Sequence, residues 1–151
     1  MDSPPPTGQL ISNTRRRARV VSLQVLYEVD EGSHDAATSL ASRLREDALS
    51  PQAEAFARRL IEGVLTHQAD IDATITAHAP AWPVSQMALV ERNILRLAIF
   101  EMTRGGETPL KVAINEAVEL GKAFGGDSSP KLVNGVLGSV MESAAVNAGS
   151  S

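Results

Sequence analysis

The sequence contains no cysteine among its 151 residues. This absence excludes disulfide bonds, thiolate metal ligands and catalysis by a cysteine nucleophile, and it is typical of proteins in a reducing compartment. No apolar run approaches the roughly 18–20 residues that a membrane-spanning helix needs. The first eleven residues contain three prolines and no apolar stretch, so we do not expect a signal peptide. These absences together predict a cytoplasmic protein with no membrane contact.

The motifs of the common enzyme classes are also absent from the sequence. There is no glycine-rich phosphate loop, no dinucleotide-binding glycine pattern and no nucleophile elbow. His34, His67 and His78 are scattered along the chain. His67 and Asp70 stand three residues apart, but two ligands do not make a metal site. The sequence therefore predicts a binding protein and not an enzyme, with no metal and no cofactor.

Positive charge is concentrated near the N-terminus. The net charge is −4, but four of the 14 basic residues fall within five positions, and no acidic residue lies between Ser3 and Tyr27. The rest of the chain carries 10 basic and 18 acidic residues, a net charge of −8. A focused basic patch on an acidic body indicates one defined anionic ligand. The four residues are Arg15, Arg16, Arg17 and Arg19.

The chain between residues 13 and 143 has the pattern of an all-α domain. No stretch combines strict alternation with β-branched enrichment, so no strand is expected. Hydroxyl–proline pairs beginning at Ser50, Thr108 and Ser129 predict helix starts, and glycine pairs at 105–106 and 125–126 predict helix ends. The predicted helices are 13–31, 36–47, 51–66, 69–78, 85–103, 109–124 and 130–143. Residues 1–12 and 144–151 are predicted to be flexible tails.

The segment from Met87 to Met102 is apolar nearly all round. A helix of this kind must be covered on most sides, so we expect it to be the axis against which the other helices pack. The helix at 109–124 has a narrower apolar stripe. Its members are Leu110, Ile114, Ala117, Leu120 and Phe124.

The arginines of the first helix do not all point the same way. At 100° per residue, Arg15, Arg16 and Arg19 fall within one arc of about 100°. Arg17 points elsewhere. Near a helix N-terminus the helix dipole disfavours cations, and no acid at i+3 or i+4 compensates these three. A phosphate would compensate them, so the arc is either a nucleic-acid contact or a solvated charged face.

A second apolar strip runs beside these arginines on the same helix. It consists of Val20, Leu23 and Tyr27. Periodicity leaves two interpretations open, because the strip either packs within the monomer or meets a partner. The adjoining arginines favour a partner protein that binds the same nucleic acid. The alternative is a protein-interaction module with no role in nucleic-acid binding, in which this strip pairs two copies of the chain.

The loop at residues 123–131, between the last two helices, is the second candidate site. The N–H groups at the start of the following helix can hold an anion, and Phe124 can stack on an unpaired base. The alternative for Phe124 is that it is the last core residue of its helix. Lys111 and Lys131 begin successive helices and can add phosphate contacts, although each alone is typical of an ordinary surface lysine.

Three blocks of the sequence resemble the NusB family of transcription antitermination factors. The first is the arginine cluster with residues 23–27, LQVLY, and the second is 89–101, LVERNILRLAIFE. The third runs from 109–117, PLKVAINEA, through Lys122 and Phe124 to 131–137, KLVNGVL. The resemblance implies an all-α fold of about seven helices in two roughly perpendicular three-helix bundles, forming a single domain over 13–143.

The resemblance also implies a function and its residues. Members of this family bind the single-stranded boxA element of nascent rRNA transcripts with the ribosomal protein NusE, join other Nus factors on RNA polymerase and suppress premature termination. Carried over by position, the RNA contacts are Arg15, Arg16, Arg19, Lys111, Phe124, Ser128 and Lys131. Tyr27 and Glu91 fall where the family's protein partner is expected, and Val20 and Leu23 of the apolar strip are assigned to the same surface. Self-association is expected only where that partner is absent.

Overall fold

The computed structural model describes the backbone of residues 7–149 and the side chains of residues 14–144. These residues form seven α-helices and one short 3-10 helix, with no β-strand among them. The α-helices are α1 Thr7–Glu31, α2 Ala36–Glu46, α3 Pro51–Thr66, α4 Gln68–His78, α5 Leu89–Thr103, α6 Leu110–Phe124 and α7 Ser129–Gly149. The predicted all-α class and the number of helices are confirmed.

The helix bounds differ most from the prediction at the two ends of the chain. α1 begins at Thr7 and α7 continues to Gly149, so both helices extend into segments that were assigned to tails. Residues 1–6 and 150–151 lie outside the described residues, and the flexibility of the tails stays a prediction. The predicted helix start at residue 85 is wrong, because Val84–Gln86 is a separate 3-10 helix and α5 begins at Leu89.

One predicted capping hydroxyl caps its helix and another has a different partner. The backbone N–H of Ala53 donates to Ser50 Oγ over 3.2 Å at the start of α3, as expected of an N-cap. Thr108 Oγ1 instead donates to the carboxylate of Glu101 over 2.9 Å. The prediction for Thr108 is therefore wrong, and its hydroxyl ties the start of α6 back to α5.

The two glycine pairs that follow α5 and α6 serve different purposes. Gly106 has a φ of +74°, in the left-handed region that favours glycine after a helix. Gly125 has a φ of −93°, so no left-handed turn is needed there. A Cβ at Gly125 would lie 2.5 Å from Ser129 Oγ and 2.9 Å from Gly121 O. Gly125 is required because the chain approaches itself closely at this point.

The chain divides into two compact units, Met1–Ile61 and Glu62–Ser151, with the boundary inside α3. In unit 1, α1 packs against α2 and against the N-terminal part of α3. In unit 2, α5 packs against α4, α6 and α7, and ten of its 15 residues are buried. The prediction that the apolar segment from Met87 to Met102 forms a covered axis is confirmed within unit 2.

Four buried residues of α5 are polar or charged, which the apolar pattern did not predict. Arg96 donates to both carboxylate oxygens of Asp72 in α4, over 2.8 and 2.9 Å. Its third nitrogen donates to Asn93 Oδ1 over 3.2 Å. Buried polar groups destabilise a fold unless they are hydrogen-bonded, so this network stabilises the packing of α4 on α5 only when complete. The remaining two are Glu91 and Glu101.

Candidate nucleic-acid interface

The arginines of α1 do not share one solvent-exposed face. Arg16 is exposed and Arg15 is half-buried, but Arg19 is only 4% exposed. The prediction of a common solvent face is therefore wrong for Arg19. The helical wheel places the three within one arc, but it contains no information on the neighbouring helix that covers part of that arc.

The helix-dipole argument for an external anion also fails in the structure. α1 begins at Thr7, so Arg15 is the ninth residue of the helix. The helix dipole acts within the first turn, and Arg15 lies in the third. The case for an anion at this place therefore depends on how the guanidinium groups are arranged, and not on the helix end.

Phe56 of α3 is surrounded by three guanidinium groups. The Cζ atoms of Arg15, Arg19 and Arg59 lie 5.0, 5.3 and 5.7 Å from the centroid of its ring. These distances are within the range of cation–π attraction, in which the ring quadrupole attracts a cation. We call these four residues the Phe56 cluster.

Sequence reasoning missed two members of the Phe56 cluster, Phe56 and Arg59. The available signal was their spacing, because residues at i and i+3 of a helix are neighbours on its surface. That spacing alone is common. What distinguishes it here is the approach of Arg15 and Arg19 from α1, about 40 positions away along the chain, and no local pattern predicts that contact.

Arg17 points away from the Phe56 cluster, as its position on the wheel predicted. Its guanidinium group forms an ion pair with Asp47 and donates to the backbone oxygen of Ala48 over 3.0 Å. Both side chains of the ion pair are exposed. Arg17 therefore links α1 to the segment between α2 and α3.

A carboxylate in unit 1 also links α1 to α2. Glu28 accepts hydrogen bonds from Ser39 Oγ over 2.5 Å and from Arg43 Nε over 2.9 Å. The hydrogen bond from Ser39, together with the hydrogen bond and charge of Arg43, lowers the pKa of Glu28 despite its partial burial. This contact fixes the C-terminal half of α1, on whose N-terminal half the cluster arginines lie.

The three residues of the second apolar strip of α1 differ in how deeply they are buried. Leu23 is buried in the core of unit 1, whereas Val20 and Tyr27 are half-buried. For Leu23 the structure supports internal packing, and its side chain is not on the surface where a partner was expected. Val20 and Tyr27 retain exposed surface.

The α6–α7 loop, residues 125–128, lies in unit 2 and is held from inside by Glu91. The buried hydroxyl of Ser129 donates to Glu91 Oε2 over 2.8 Å and accepts the backbone N–H of Gly126 over 3.0 Å. Ser129 thus connects the loop to α5 and is not the simple helix cap that was predicted. Glu91 is buried too, so its carboxylate is not on the surface where a partner contact was expected.

Phe124 is the last residue of α6 and is 42% exposed. The interpretation that it is the last core residue of the apolar stripe is therefore wrong. Ser128 and Lys131 are also exposed and lie just beyond it along the chain. An aromatic face, a hydroxyl and an ammonium group suit an unpaired base and its phosphate.

Lys111 is exposed but is not part of this surface. It is the second residue of α6, and Phe124 is the last. At 1.5 Å per residue the two are roughly 20 Å apart along the helix axis. Phe124, Ser128 and Lys131 thus lie at or just after the C-terminal end of α6, and Lys111 lies near its N-terminal end.

Two further features are absent from the described part of the chain. Within residues 7–149, no group of three or more histidine, aspartate and glutamate side chains is arranged to hold a metal ion. None of the helices of this region has the length and apolar character needed to cross a membrane.

Comparison with known proteins identifies the family. The sequence profile of the NusB family matches residues 16–142. Transcription antitermination protein NusB of Roseiflexus sp. (strain RS-1) is 47% identical over 133 residues, which cover 87% of this chain and 94% of that protein. The structure of T. maritima NusB has a TM-score of 0.75 and 31% identity, covering 91% of this chain and 89% of that chain.

A second solved structure adds a complex to this comparison. It contains the antitermination factors NusB and NusE bound to double-stranded RNA. Its matching chain has a TM-score of 0.79 and 25% identity, with coverage of 87% of this chain and 98% of that chain. The profile match and the identity over most of both sequences show that this chain belongs to the NusB family.

Proposed function

We propose that this protein is a transcription antitermination factor. It binds boxA-type single-stranded RNA of nascent rRNA transcripts together with the ribosomal protein NusE, and so suppresses premature termination by RNA polymerase. The support is membership of the NusB family, the names of the relatives and the NusB–NusE–RNA complex of a structural neighbour. The protein acts by binding, without catalysis or a cofactor, in the cytoplasm, and it joins other Nus factors on the polymerase.

The observation that carries this proposal is the concentration of guanidinium groups at α1. Arg16 is exposed, and Arg15 and Arg19 are held on the ring of Phe56. Guanidinium groups bind phosphate through paired N–H donors, and phosphate contacts supply most of the affinity for a nucleic acid. Arg16 and Arg15 reach the RNA directly, and Arg19 adds its charge from beneath them.

The surface at the end of α6 supplies the second RNA contact. Phe124 stacks on an unpaired base, and Ser128 and Lys131 bind the adjoining sugar–phosphate backbone. Stacking of this kind contributes about 1–3 kcal/mol per base. Lys111, at the opposite end of α6, binds a separate phosphate.

The partner surface for NusE includes Val20 and Tyr27, which keep exposed surface on α1. Leu23 and Glu91 are buried, so they stabilise the packing of the helices around them and do not contact NusE directly. In the absence of NusE, the same strip pairs two copies of this chain. Sedimentation at increasing concentration tests this point. Tyr27→Arg should weaken both self-association and NusE binding. If the dimer of this variant is as stable as that of the wild type, the dimer uses another surface.

The test of the RNA function is a binding titration with labelled boxA-like RNA, with and without NusE, across a series of salt concentrations. Each phosphate contact that is lost should reduce the slope of log K against log[salt] by about 0.7 for a single strand. Arg16→Ala with Arg19→Ala should therefore lower both affinity and slope. Arg17→Ala is the matched control, because Arg17 is exposed on the same helix and its side chain points to Asp47, away from the Phe56 cluster.

Phe124→Ala separates stacking from charge. It should lower the affinity roughly tenfold while leaving the salt slope unchanged, because stacking releases no counterions. Unchanged binding by the double arginine variant would refute the arginine assignment. Tighter binding of a duplex of the same sequence would refute the preference for a single strand.

A further inference from the structure

We infer that a groove between α7 and the segment after α4 binds a second unpaired base of the RNA, with Trp82 as the stacking face and Lys131 as the phosphate contact. The inference rests on the proposed RNA function and deepens it, because Trp82 belongs neither to the arginine motif nor to the α6–α7 loop. The observations that carry it are the lining of the groove, the exposure of Trp82 and a glycine of α7 that keeps the groove open.

The groove lies wholly within unit 2 and has a volume of about 360 Å³. Sites for small ligands and cofactors have volumes of roughly 300–1,000 Å³, so this groove is large enough for one. Residues 78–82, at the end of α4 and just after it, line one side. Residues of the first two turns of α7 line the other, namely Lys131, Leu132, Gly135 and Val136. None of these described lining residues is acidic.

Trp82 provides the aromatic face of the groove, and 44% of its side chain is exposed. In the described part of unit 2, it and Phe124 are the two aromatic residues that remain exposed. Exposed tryptophan is typical of contact surfaces, because its large ring gains much buried area when a ligand covers it. An unpaired base is a flat ligand that stacks on such a ring whatever its sequence.

Lys131 connects the groove to the RNA surface proposed at the end of α6. It is exposed, it stands in the first turn of α7, and it lines the groove. The start of α7 lies close to α6, since a Cβ at Gly121 would be 3.4 Å from Pro130 Cα. Lys131 therefore binds the phosphate between a base on Phe124 and a base in the groove. An ammonium group in a lining without carboxylates favours this anionic strand over a cationic protein segment.

Gly135 keeps the groove open. It lies in the second turn of α7, where glycine is unfavourable relative to alanine. Gly63 in α3 has a packing reason, because a Cβ there would clash with the ring of Phe100. A Cβ at Gly135 would contact nothing within 4 Å outside the local helix backbone, so internal packing does not require glycine there. An added methyl group would instead occupy the groove, and a base that lies flat against α7 explains the glycine.

The first experiment uses Trp82 as its own probe, because it is the one tryptophan of the chain. Full-length protein is titrated with boxA-like single-stranded RNA, with and without NusE, and the emission of NusE alone is subtracted. The fluorescence of Trp82 should be quenched in step with binding, since its ring stacks on a base. A change that NusE causes without RNA, and that RNA does not increase, would assign the groove to a protein segment and overturn the inference.

The second experiment compares two glycines of α7, of which Gly135 lines the groove and Gly138 does not. A Cβ at either would meet open space. Gly135→Ala and Gly138→Ala should each raise Tm by about 2–4 °C, because alanine favours the helix. Gly135→Ala should nevertheless weaken RNA binding roughly fivefold, since its methyl group overfills the occupied groove. Gly138→Ala should bind as the wild type does, and equal binding by both variants would contradict the inference.

The third experiment identifies the base. Trp82→Leu should weaken RNA binding roughly tenfold at an unchanged salt slope, and Trp82→Phe should retain most of the affinity. Removing one base of the RNA at a time should reveal a position that matters to the wild type and to Phe124→Ala but not to Trp82→Leu. If salt-dependent RNA binding is present but Trp82→Leu binds as the wild type does, the groove is not an RNA site and the proposed function stands. If the wild type shows no salt-dependent RNA binding, the proposed function itself fails.

Discussion

Arginine is held in two different ways in the two units of this protein. Arg96 in unit 2 and Arg19 in unit 1 are almost equally buried, at 5% and 4% exposure. Arg96 is bound by both oxygens of the Asp72 carboxylate, whereas Arg19 lies over the ring of Phe56. Arginines that are buried to the same extent therefore make different contacts. The carboxylate fixes Arg96 between α4 and α5, and the aromatic ring joins Arg19 of α1 to α3.

Unit 1 also contains arginines that are paired with carboxylates. Arg17 is paired with Asp47, and Arg43 is paired with Glu28. Each of these ion pairs joins α1 or α2 to a neighbouring segment, so the arginine has a structural partner of opposite charge. In the Phe56 cluster, three arginines contact one aromatic ring.

The largest expected effect is the loss of stability when Arg96 of unit 2 loses the carboxylate of Asp72. Asp72→Asn leaves the charge of Arg96 buried without its counter-ion and should lower the free energy of unfolding by about 3 kcal/mol. Urea denaturation measures this loss. Asp70→Asn is the control, since Asp70 is 76% exposed and pairs with Arg104 at 3.3 Å, so it should cost less than about 1 kcal/mol. Equal losses in the two variants would contradict the structural role of Arg96.

The next effect concerns the buried carboxylate of Glu91, which we expect to anchor the α6–α7 loop. Glu91→Ala removes the acceptor of the Ser129 hydroxyl and should lower the free energy of unfolding by about 2 kcal/mol. Proteolysis within residues 125–128 should become faster. Glu91→Gln keeps an acceptor and should have a smaller effect. A variant that lost NusE binding with an intact, protected loop would instead support a direct partner contact.

Unit 1 should show an acid dependence that comes from Glu28. Its pKa in the folded protein is lowered from 4.5, so its contribution to stability is complete above that value and is lost as the pH falls through the folded pKa. Glu28→Gln should cost about 1 kcal/mol at neutral pH and flatten this dependence. Urea midpoints at pH 7 and below 4.5 measure both effects.

The control for this third prediction is Glu46→Gln, which removes an exposed carboxylate 3.7 Å from the same arginine, Arg43. Because that ion pair is exposed on the glutamate side, the variant should change stability and its pH dependence less than Glu28→Gln does. The opposite order would mean that Glu28 is not the link between α1 and α2.

The smallest effect is expected for the surface ion pair of Arg17 and Asp47. Arg17→Gln should lower the free energy of unfolding by roughly 0.5 kcal/mol or less, because exposed ion pairs are weak. It should also leave the salt slope of RNA binding unchanged. A reduced slope would show that Arg17 also contacts the RNA, and the assignment of this contact to Arg15, Arg16 and Arg19 alone would be wrong.

Some local features were predicted correctly from the sequence, although the hydroxyls of Thr108 and Ser129 have partners other than those of the predicted helix caps. Ser50 caps α3 and Gly106 turns the chain after α5, because such positions depend on a few adjacent residues. Phe124 shows where periodicity stops being informative. It continues the apolar stripe of α6 by one turn, but α6 ends there and Leu120 is the last buried member of the stripe. The exposure of a residue at a helix end depends on whether a neighbouring element continues past it.

The sequence by itself determined the all-α class, most helix bounds, the family and the region of concentrated positive charge, since each depends on composition, spacing or local propensity. Only the tertiary structure decided that Arg19 lies on Phe56, that Arg59 joins it, and that Leu23 and Glu91 face inward. The physical reason is that burial and pairing depend on which helices meet, and those contacts join residues far apart along the chain.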